Sequence, residues 1–419
     1  MNIRWITPLL GTAAASVIGD VPGIHIVDVR DLIDKEGNRA DVLREKIGGG
    51  LALLSEGNKT VVCCDKGISR SNAVAAGILA AFEHIPFNDA VRRVLEATGE
   101  TEINVDVINA IRNTFEPEAL VADGRKRWLL TGGHGYLGSL LASSIPEGIE
   151  LLRPLRNELD LLRGAAVVDL YVREHRVTRI LHFAAPHIMN ANSSVGESVV
   201  MLRNILDACV SNRIPLFLPS RWEVFGGYKG QTRSVDEETP VRPAGATGDA
   251  KFLGEKLIEA YAERSALEAT VLRSSLVFGN NGAPNFMLGF IGRAMRGEAI
   301  TTHMYTNGPP QLDLLAAVDW LQACWKLLLS GKTGVFHVGS GKLLSTIDIA
   351  EIILAACGVK AKLNSILLDD SSANIMLESG KIARLLEWRP SGNVESKIAD
   401  WVTSLARDSI FSIGDGHDC

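Results

Sequence analysis

Glycines at Gly132, Gly135 and Gly138 recur at intervals of three directly after the apolar run Trp128 to Leu130, and a helix-like stretch follows them. Such a turn lets backbone approach a pyrophosphate and lets the following helix pack closely on the strand. From Trp128 to about residue 330, strand-type and helix-type segments alternate. Alternation of this kind predicts a doubly wound parallel sheet.

The chain has 419 residues, too many for one ordinary core, so two domains are expected. The first 115 or so also read as α/β. Ile24 to Val29 and Thr60 to Cys64 are strand-type runs, and Ala40 to Leu54 between them has helical spacing. Ser71–Glu83, Asp89–Ala97 and Asn104–Phe115 are further helix candidates. The mixed, charged stretch around Pro117 and Gly124 reads as a linker. The expected division is a small domain over 1–118, a linker over 119–127, a larger domain over 128–406 and a flexible tail over 407–419. Ile347 to Leu405 reads as mostly helical.

Charged residues make up 22% and the net charge is −6, without a long basic run. This argues against nucleic acid or an anionic membrane as partner. No apolar run reaches the roughly 18 residues of a membrane span. Met1 to Asp20 reads as domain sequence rather than an export signal. The six cysteines do not form a disulfide scaffold. Cys209, Cys324 and Cys357 fall in apolar helical patterns, Cys419 ends the chain, and no Cys or His spacing suits zinc. A reducing cytoplasm and no metal are expected.

Cys64-Asp65-Lys66-Gly67-Ile68-Ser69-Arg70-Ser71 joins an apolar strand to a helix. In that order, successive backbone N–H groups converge on one point and the helix N-terminus adds positive potential. Gly67 permits close approach, and Arg70 can grip two phosphate oxygens with its planar fork. The same donors depress the pKa of Cys64 and make it a nucleophile, with Ser71 placed to stabilise the departing thiolate. Without Gly67 and Arg70, Cys64 would read as a structural cysteine at a strand end.

This segment resembles the signature of the dual-specificity branch of the protein tyrosine phosphatases. The resemblance, over roughly residues 20–115, implies a phosphocysteine on Cys64. It implies phosphate binding by Asp65 to Arg70 and a carboxylic acid some thirty residues earlier. Asp31 has the best spacing for that acid, with Asp34 second and Asp28 nearest the strand. Where that family has His before the nucleophile, this chain has Cys63, which weakens the expected activity or links Cys63 to Cys64 by redox chemistry.

In the larger domain, the second strand ends in Arg153-Pro154-Leu155-Arg156. Two arginines suit a 2′-phosphate where an acid would suit a 2′-hydroxyl, which favours NADP over NAD. They read otherwise as surface arginines. With Asp160-Leu161 and the run Ile180 to Pro186, the stretch from Trp128 to about Leu405 resembles the extended short-chain dehydrogenase/reductases, which act on nucleotide-linked sugars. Individual pieces look like GDP-fucose synthase and the dTDP-4-dehydrorhamnose reductase group. The resemblance implies a Rossmann-type sheet with a smaller C-terminal substrate-binding part. It implies cofactor contacts from Gly132, Gly135, Tyr136, Leu137, Gly138, Arg153, Arg156, Asp160, Leu161, Ala184, Ala185 and Lys251. A homodimer is also an expectation from it.

That family's chemistry uses a Ser or Thr, a Tyr, and a Lys four residues after the Tyr. Lys251 is present, but the Tyr position holds Thr247 and the Ser/Thr position is Arg221, with Ser220 beside it. A threonine hydroxyl is far less acidic than a phenol. Three readings stay open: dinucleotide binding without redox chemistry, replacement of the Tyr by Tyr228, Glu223, His187 or Tyr305, or a phosphorylated or sugar-nucleotide ligand with little cofactor. The whole chain thus reads as a phosphomonoester phosphatase fused to an NAD(P)-binding sugar-nucleotide domain, with a sugar or cyclitol phosphate pathway as its setting. The alternative is a protein phosphatase whose second domain senses NADP.

Overall fold

The computed structural model describes residues 3–19, 21–115, 124–186, 191–280, 282 and 284–414, with side chains described as far as 406. The expectations for His187, Cys419 and linker residues 119–123 concern positions outside these.

The first part holds β1 (Arg4–Trp5), β2 (Leu10–Ala14), β3 (Ile24–Asp28), α1 (Ala40–Ser55) and β4 (Lys59–Cys64). Helices α2 (Arg70–Glu83), α3 (Phe87–Thr98) and α4 (Val105–Phe115) follow. The sheet order is β1-β2-β4-β3; β2 and β3 run parallel to β4, and β1 is antiparallel to β2. β4 is central because KTVVCC offers apolar side chains to both faces, and everything after Lys59 in it is buried. α2 is buried without a break from Ser71 to Ala80, since its small side chains admit neighbours on every side. β1 and β2 were not separable in the sequence, because strands of two and five residues carry too little periodicity.

The second part runs β5 (Lys126–Thr131), α5 (Tyr136–Ala142), β6 (Ile149–Leu152), α6 (Ala165–Glu174), β7 (Arg179–His182), α7 (Asn192–Asn212) and β8 (Leu216–Arg221). It continues through β9 (Thr232–Val235), α8 (Gly245–Arg264), β10 (Ala269–Ser274), β11 (Leu276–Phe278), α9 (Asn285–Met295), β12 (Ile300–Met304), β13 (Gln311–Ala316), α10 (Ala317–Ser330) and β14 (Gly334–Val338). A six-stranded parallel sheet forms in the order β14-β10-β8-β7-β5-β6. The winding reverses between β5 and β7, which opens a crevice at their C-terminal ends.

The chain ends with β15 (Leu343–Ser345), α11 (Thr346–Cys357), β16 (Leu363–Leu367), β17 (Asn374–Leu377), α12 (Gly380–Leu386) and α13 (Val394–Gly414). The expectation of a mostly helical end needs correction at β16 and β17. These short strands pair with β12 and β9, so partners distant in sequence decide their conformation. α13 also continues to Gly414, into the stretch read as a tail.

The two parts share packing. Ala166 and Leu170 of α6 belong to the same apolar cluster as Leu10, Val62 and Ile78. Beside it, Arg112 of α4 meets Asp169 of α6. No helix of the described residues is long and apolar enough to cross a membrane.

Candidate functional site

Cys64 closes β4 and Arg70 opens α2, so the intervening loop curls around the sulfur. The Gly67 N–H points at Cys64 Sγ from 3.2 Å, and Ser71 Oγ lies 3.4 Å from it. Burial raises the Cys64 pKa, but hydrogen bonds from the Ser71 hydroxyl and the amides of Ser71, Gly67 and Ile68 outweigh it and hold the thiol below its ordinary 9.0. Cys63 takes the opposite course: burial, helped by Asp28, pushes it up to about 11. Both are free thiols, and as strand neighbours their side chains leave opposite faces, so no Cys63–Cys64 link is formed.

Gly67 has φ +69°, and a Cβ there would stand 2.4 Å from Ala13 C and 2.5 Å from Ala14 N of β2. Only glycine lets the loop lie on that strand end. Its carbonyl accepts from Arg4, which also pairs with Glu100. Arg70 donates through Nη1 to the carbonyls of Arg30 (3.1 Å) and Leu32 (2.8 Å), and through Nη2 to Asp65 (2.5 Å). Asp65 and Lys66 are exposed, and Ile68 is half-buried.

The three candidate acids part company. Asp28 pairs with Arg30 at 2.6 Å, and Asp31 is drawn to Lys46 of α1 at 2.9 Å. Asp34 accepts from Ser69 Oγ at 2.5 Å and is the one bonded to the loop itself. Ser69 in turn accepts from the Asn104 amide at 2.9 Å. Arg4 and Asn104 gave no signal in the sequence, since their roles depend on contacts with residues far along the chain.

In the second part, Gly132 has φ +66°, and a Cβ there would fall 2.5 Å from the Ala184 nitrogen. At Gly138 a Cβ would meet the Gly132 carbonyl at 2.4 Å. The turn is thus a cradle that side chains would fill. It borders a cavity of about 450 Å³ at the crevice between β5 and β7. Gly132 and Gly135 line it from the turn, Arg156, Asp160 and Leu161 from the segment after β6, and Ala184 and Ala185 from the end of β7. Glu197 and Met201 of α7 also line it; their i, i+4 spacing places them on one helix face, which the sequence reading missed.

Other expected cofactor residues lie elsewhere. The Tyr136 hydroxyl donates to the Gly279 carbonyl at 2.9 Å, and burial raises its pKa. Leu137 packs against the apolar cluster around Trp128 and Leu130. Arg153 spends its guanidinium on the Gly133 carbonyl, at 2.6 and 3.2 Å, so it braces the turn. Arg156 stands 3.6 Å from Asp160 and faces the cavity.

Lys251 donates to the Pro219 carbonyl at 3.0 Å, and burial, helped by the charge of Arg221, pushes its pKa down to about 8. It lines a small cavity of about 30 Å³ with His182, Ala184 and Ala185. Thr247 sits one turn earlier on α8, half-buried. Arg221 and Glu223 pair with each other at 2.8 and 3.1 Å. Ser220 donates to Glu255 at 2.5 Å, and Glu255 pairs with buried Arg273 at 2.7 Å, so Ser220 is tied into the core. Tyr228 donates to the Pro240 carbonyl, with Arg233 and Arg242 4.6 and 4.7 Å from its ring centre. Tyr305 packs edge-on to His303 at 6.4 Å and lines neither cavity.

A parallel sheet of this order, with a glycine cradle at its switch point, defines a dinucleotide-binding α/β domain. The family model for the NAD dependent epimerase/dehydratase family matches residues 128–339, and the chain belongs to that family. A dTDP-glucose 4,6-dehydratase of an Actinoplanes species is 27% identical over 311 residues, which cover 65% of this chain and 96% of the relative. UDP-glucuronic acid decarboxylase 1 of Danio rerio is 22% identical over 347 residues, 76% of this chain and 82% of that protein. Among solved structures, the dTDP-glucose 4,6-dehydratase of Bacillus anthracis in complex with NAD superposes with a TM-score of 0.59 at 19% identity, over 68% of this chain and 98% of the other. The dTDP-4-dehydrorhamnose reductase of Yersinia enterocolitica gives 0.58 at 20%, over 66% and 99%.

Proposed function

We propose that the chain is a bifunctional protein whose first part hydrolyses phosphomonoesters through Cys64 and whose second part holds NAD(P) and a nucleotide-linked sugar. The observation that carries the first half is the ring of donors around Cys64 Sγ, which favours the thiolate. In the first step Sγ attacks phosphorus, the P–O ester bond breaks, and the alcohol leaves with a proton from a carboxylic acid. In the second step water attacks the phosphocysteine, the P–S bond breaks, and phosphate and thiolate are regenerated. To grip phosphate, Arg70 exchanges its present partners, the Arg30 and Leu32 carbonyls and the Asp65 carboxylate, for phosphate oxygens. Asp34 is assigned as the acid in place of Asp31, since Asp34 is bonded to the loop and Asp31 is engaged by Lys46.

The glycine cradle and the cavity beside it fit a dinucleotide, and Arg156 supports NADP as the form held. Bound there, the nicotinamide supplies hydride chemistry. The chain's own residues bind and orient: Gly132 and Gly135 offer backbone, and Lys251 lines the small cavity that shares Ala184 and Ala185 with the larger one. With Thr247 in the tyrosine position, and Ser220, Tyr228 and Tyr305 engaged elsewhere, the domain is assigned to ligand binding without the usual proton relay. Glu223, within the electrostatic reach of Lys251, supports the competing reading of a replacement acid–base group. Phosphate release measured on aryl phosphate, sugar phosphates and a phosphopeptide, beside Cys64→Ser, tests the first half. Release that survives the substitution would overturn it.

A further inference from the structure

The short connection between α3 and α4 touches both candidate sites. At one end, Glu100 pairs with Arg4, and Arg4 holds the Gly67 carbonyl, so that the Gly67 N–H is left facing Cys64 Sγ. At the other end, the Asn104 amide donates to Ser69 Oγ, and the Asn104 side chain donates to the Asp34 carbonyl at 2.8 Å. The phosphate loop and its candidate acid are therefore tied to residues 100–104 at several points.

Between those ends, Thr101 lies against the second domain. Gly164 has φ +94°, and a Cβ there would fall 1.8 Å from the Thr101 carbonyl oxygen. Backbone rests on backbone, with no side chain to absorb a shift. Gly164 ends the segment in which Arg156, Asp160 and Leu161 line the dinucleotide cavity. Asn204 of α7 donates to the Leu161 carbonyl at 2.7 Å and fixes the height of that turn. Asn204 also lines a cleft of about 670 Å³ between the two parts, together with Asp34, Thr101 and Asn104.

We propose that residues 100–104 are a mechanical link through which a dinucleotide in the second domain sets the geometry of the Cys64 loop in the first. A ligand that contacts Arg156, Asp160 and Leu161 clamps their segment, holds Gly164 against Thr101, and keeps Glu100 and Asn104 where Gly67 and Ser69 need them. Occupancy of the cavity raises Cys64 reactivity. By linkage, an anion on the Cys64 loop tightens dinucleotide binding by the factor by which the dinucleotide tightens anion binding. This inference rests on the assignment of the cavity to a dinucleotide, and it holds whether or not the loop turns over a phosphate ester.

The test reads Cys64 alkylation by iodoacetamide, resolved by peptide mass spectrometry, on the full chain with and without saturating NAD or NADP. Saturation is established separately by calorimetry. An increase of roughly fivefold or more is expected, in the usual range for coupled sites. Asn204→Ala, which frees the Leu161 turn, is expected to bring the ratio towards one while alkylation without dinucleotide stays unchanged. Gly164→Ala, whose Cβ would meet the Thr101 carbonyl oxygen at 1.8 Å, should instead change Cys64 alkylation even without dinucleotide. In the reciprocal measurement, orthovanadate should tighten the dinucleotide Kd by the factor by which the dinucleotide tightens orthovanadate binding. A bound dinucleotide that leaves Cys64 reactivity unchanged would overturn the proposal, as would a ratio that Asn204→Ala leaves intact. Absence of phosphatase turnover would count only against the phosphatase assignment, because alkylation does not need it.

Discussion

Arg112 of α4 donates to the carboxylate of Asp169 on α6 at 3.0 Å, with side-chain exposures of 6% and 1%, so the pair joins the two parts inside the protein. Ser211 and Asn212 add donors to Asp169 at 2.7 Å each, and Arg173 closes the ring. Burial raises the Asp169 pKa, but Arg112, Arg173, Ser211 and Asn212 outweigh it and hold the acid below its ordinary 3.8. Arg112→Ala leaves a buried charge short of a partner and is expected to cost about 3–5 kcal/mol in urea denaturation. Because the folded pKa is depressed, the contribution of Asp169 is present above about pH 4 and is lost as pH falls through the folded value. An Arg112→Ala variant as stable as the parent at pH 7 would contradict this.

The Cys64 thiolate should persist below the range of an ordinary thiol. The rate of Cys64 alkylation against pH is expected to have its midpoint below 9.0, and Ser71→Ala should move that midpoint upward by removing a hydroxyl that donates to Sγ. Cys63, pushed up to about 11, should remain unreacted at pH 8. Equal reactivity of the two thiols at pH 7 would count against the loop geometry.

Gly132→Ala should weaken dinucleotide binding. Forcing a side chain into a left-handed turn against the Ala184 backbone costs about 1–3 kcal/mol, or roughly 5- to 140-fold in Kd. Calorimetry with NAD and NADP reads it, and an unchanged Kd would show that the cradle does not face the ligand.

Arg156→Ala should selectively weaken NADP, by about tenfold, from loss of one charge-assisted contact. NAD binding should change little. An equal loss for both would mean that Arg156 does not recognise the 2′-phosphate.

The parts legible in the sequence are those written in consecutive residues. Cys64 to Ser71 and Gly132 to Gly138 each place a strand end, a turn and a helix start within one short segment, and local chemistry dictates all three. What was not legible depends on distant partners. Spacing alone favoured Asp31, but Lys46 draws it towards α1 while Asp34 meets Ser69. Arg153 looked like a phosphate ligand and instead braces the Gly133 carbonyl. β16 and β17 exist because β12 and β9 lie beside them, and no window of sequence contains both members of either pair.

The central claim is that Cys64 is a nucleophile towards phosphorus. Its most direct test is to quench the full chain during turnover of an aryl phosphate and search for a phosphorylated residue by mass spectrometry. Phosphate is expected on Cys64, absent in Cys64→Ser and accumulating in Asp34→Ala when a good leaving group makes its protonation unnecessary. Turnover with no phosphocysteine, or with the phosphate on another residue, would contradict it.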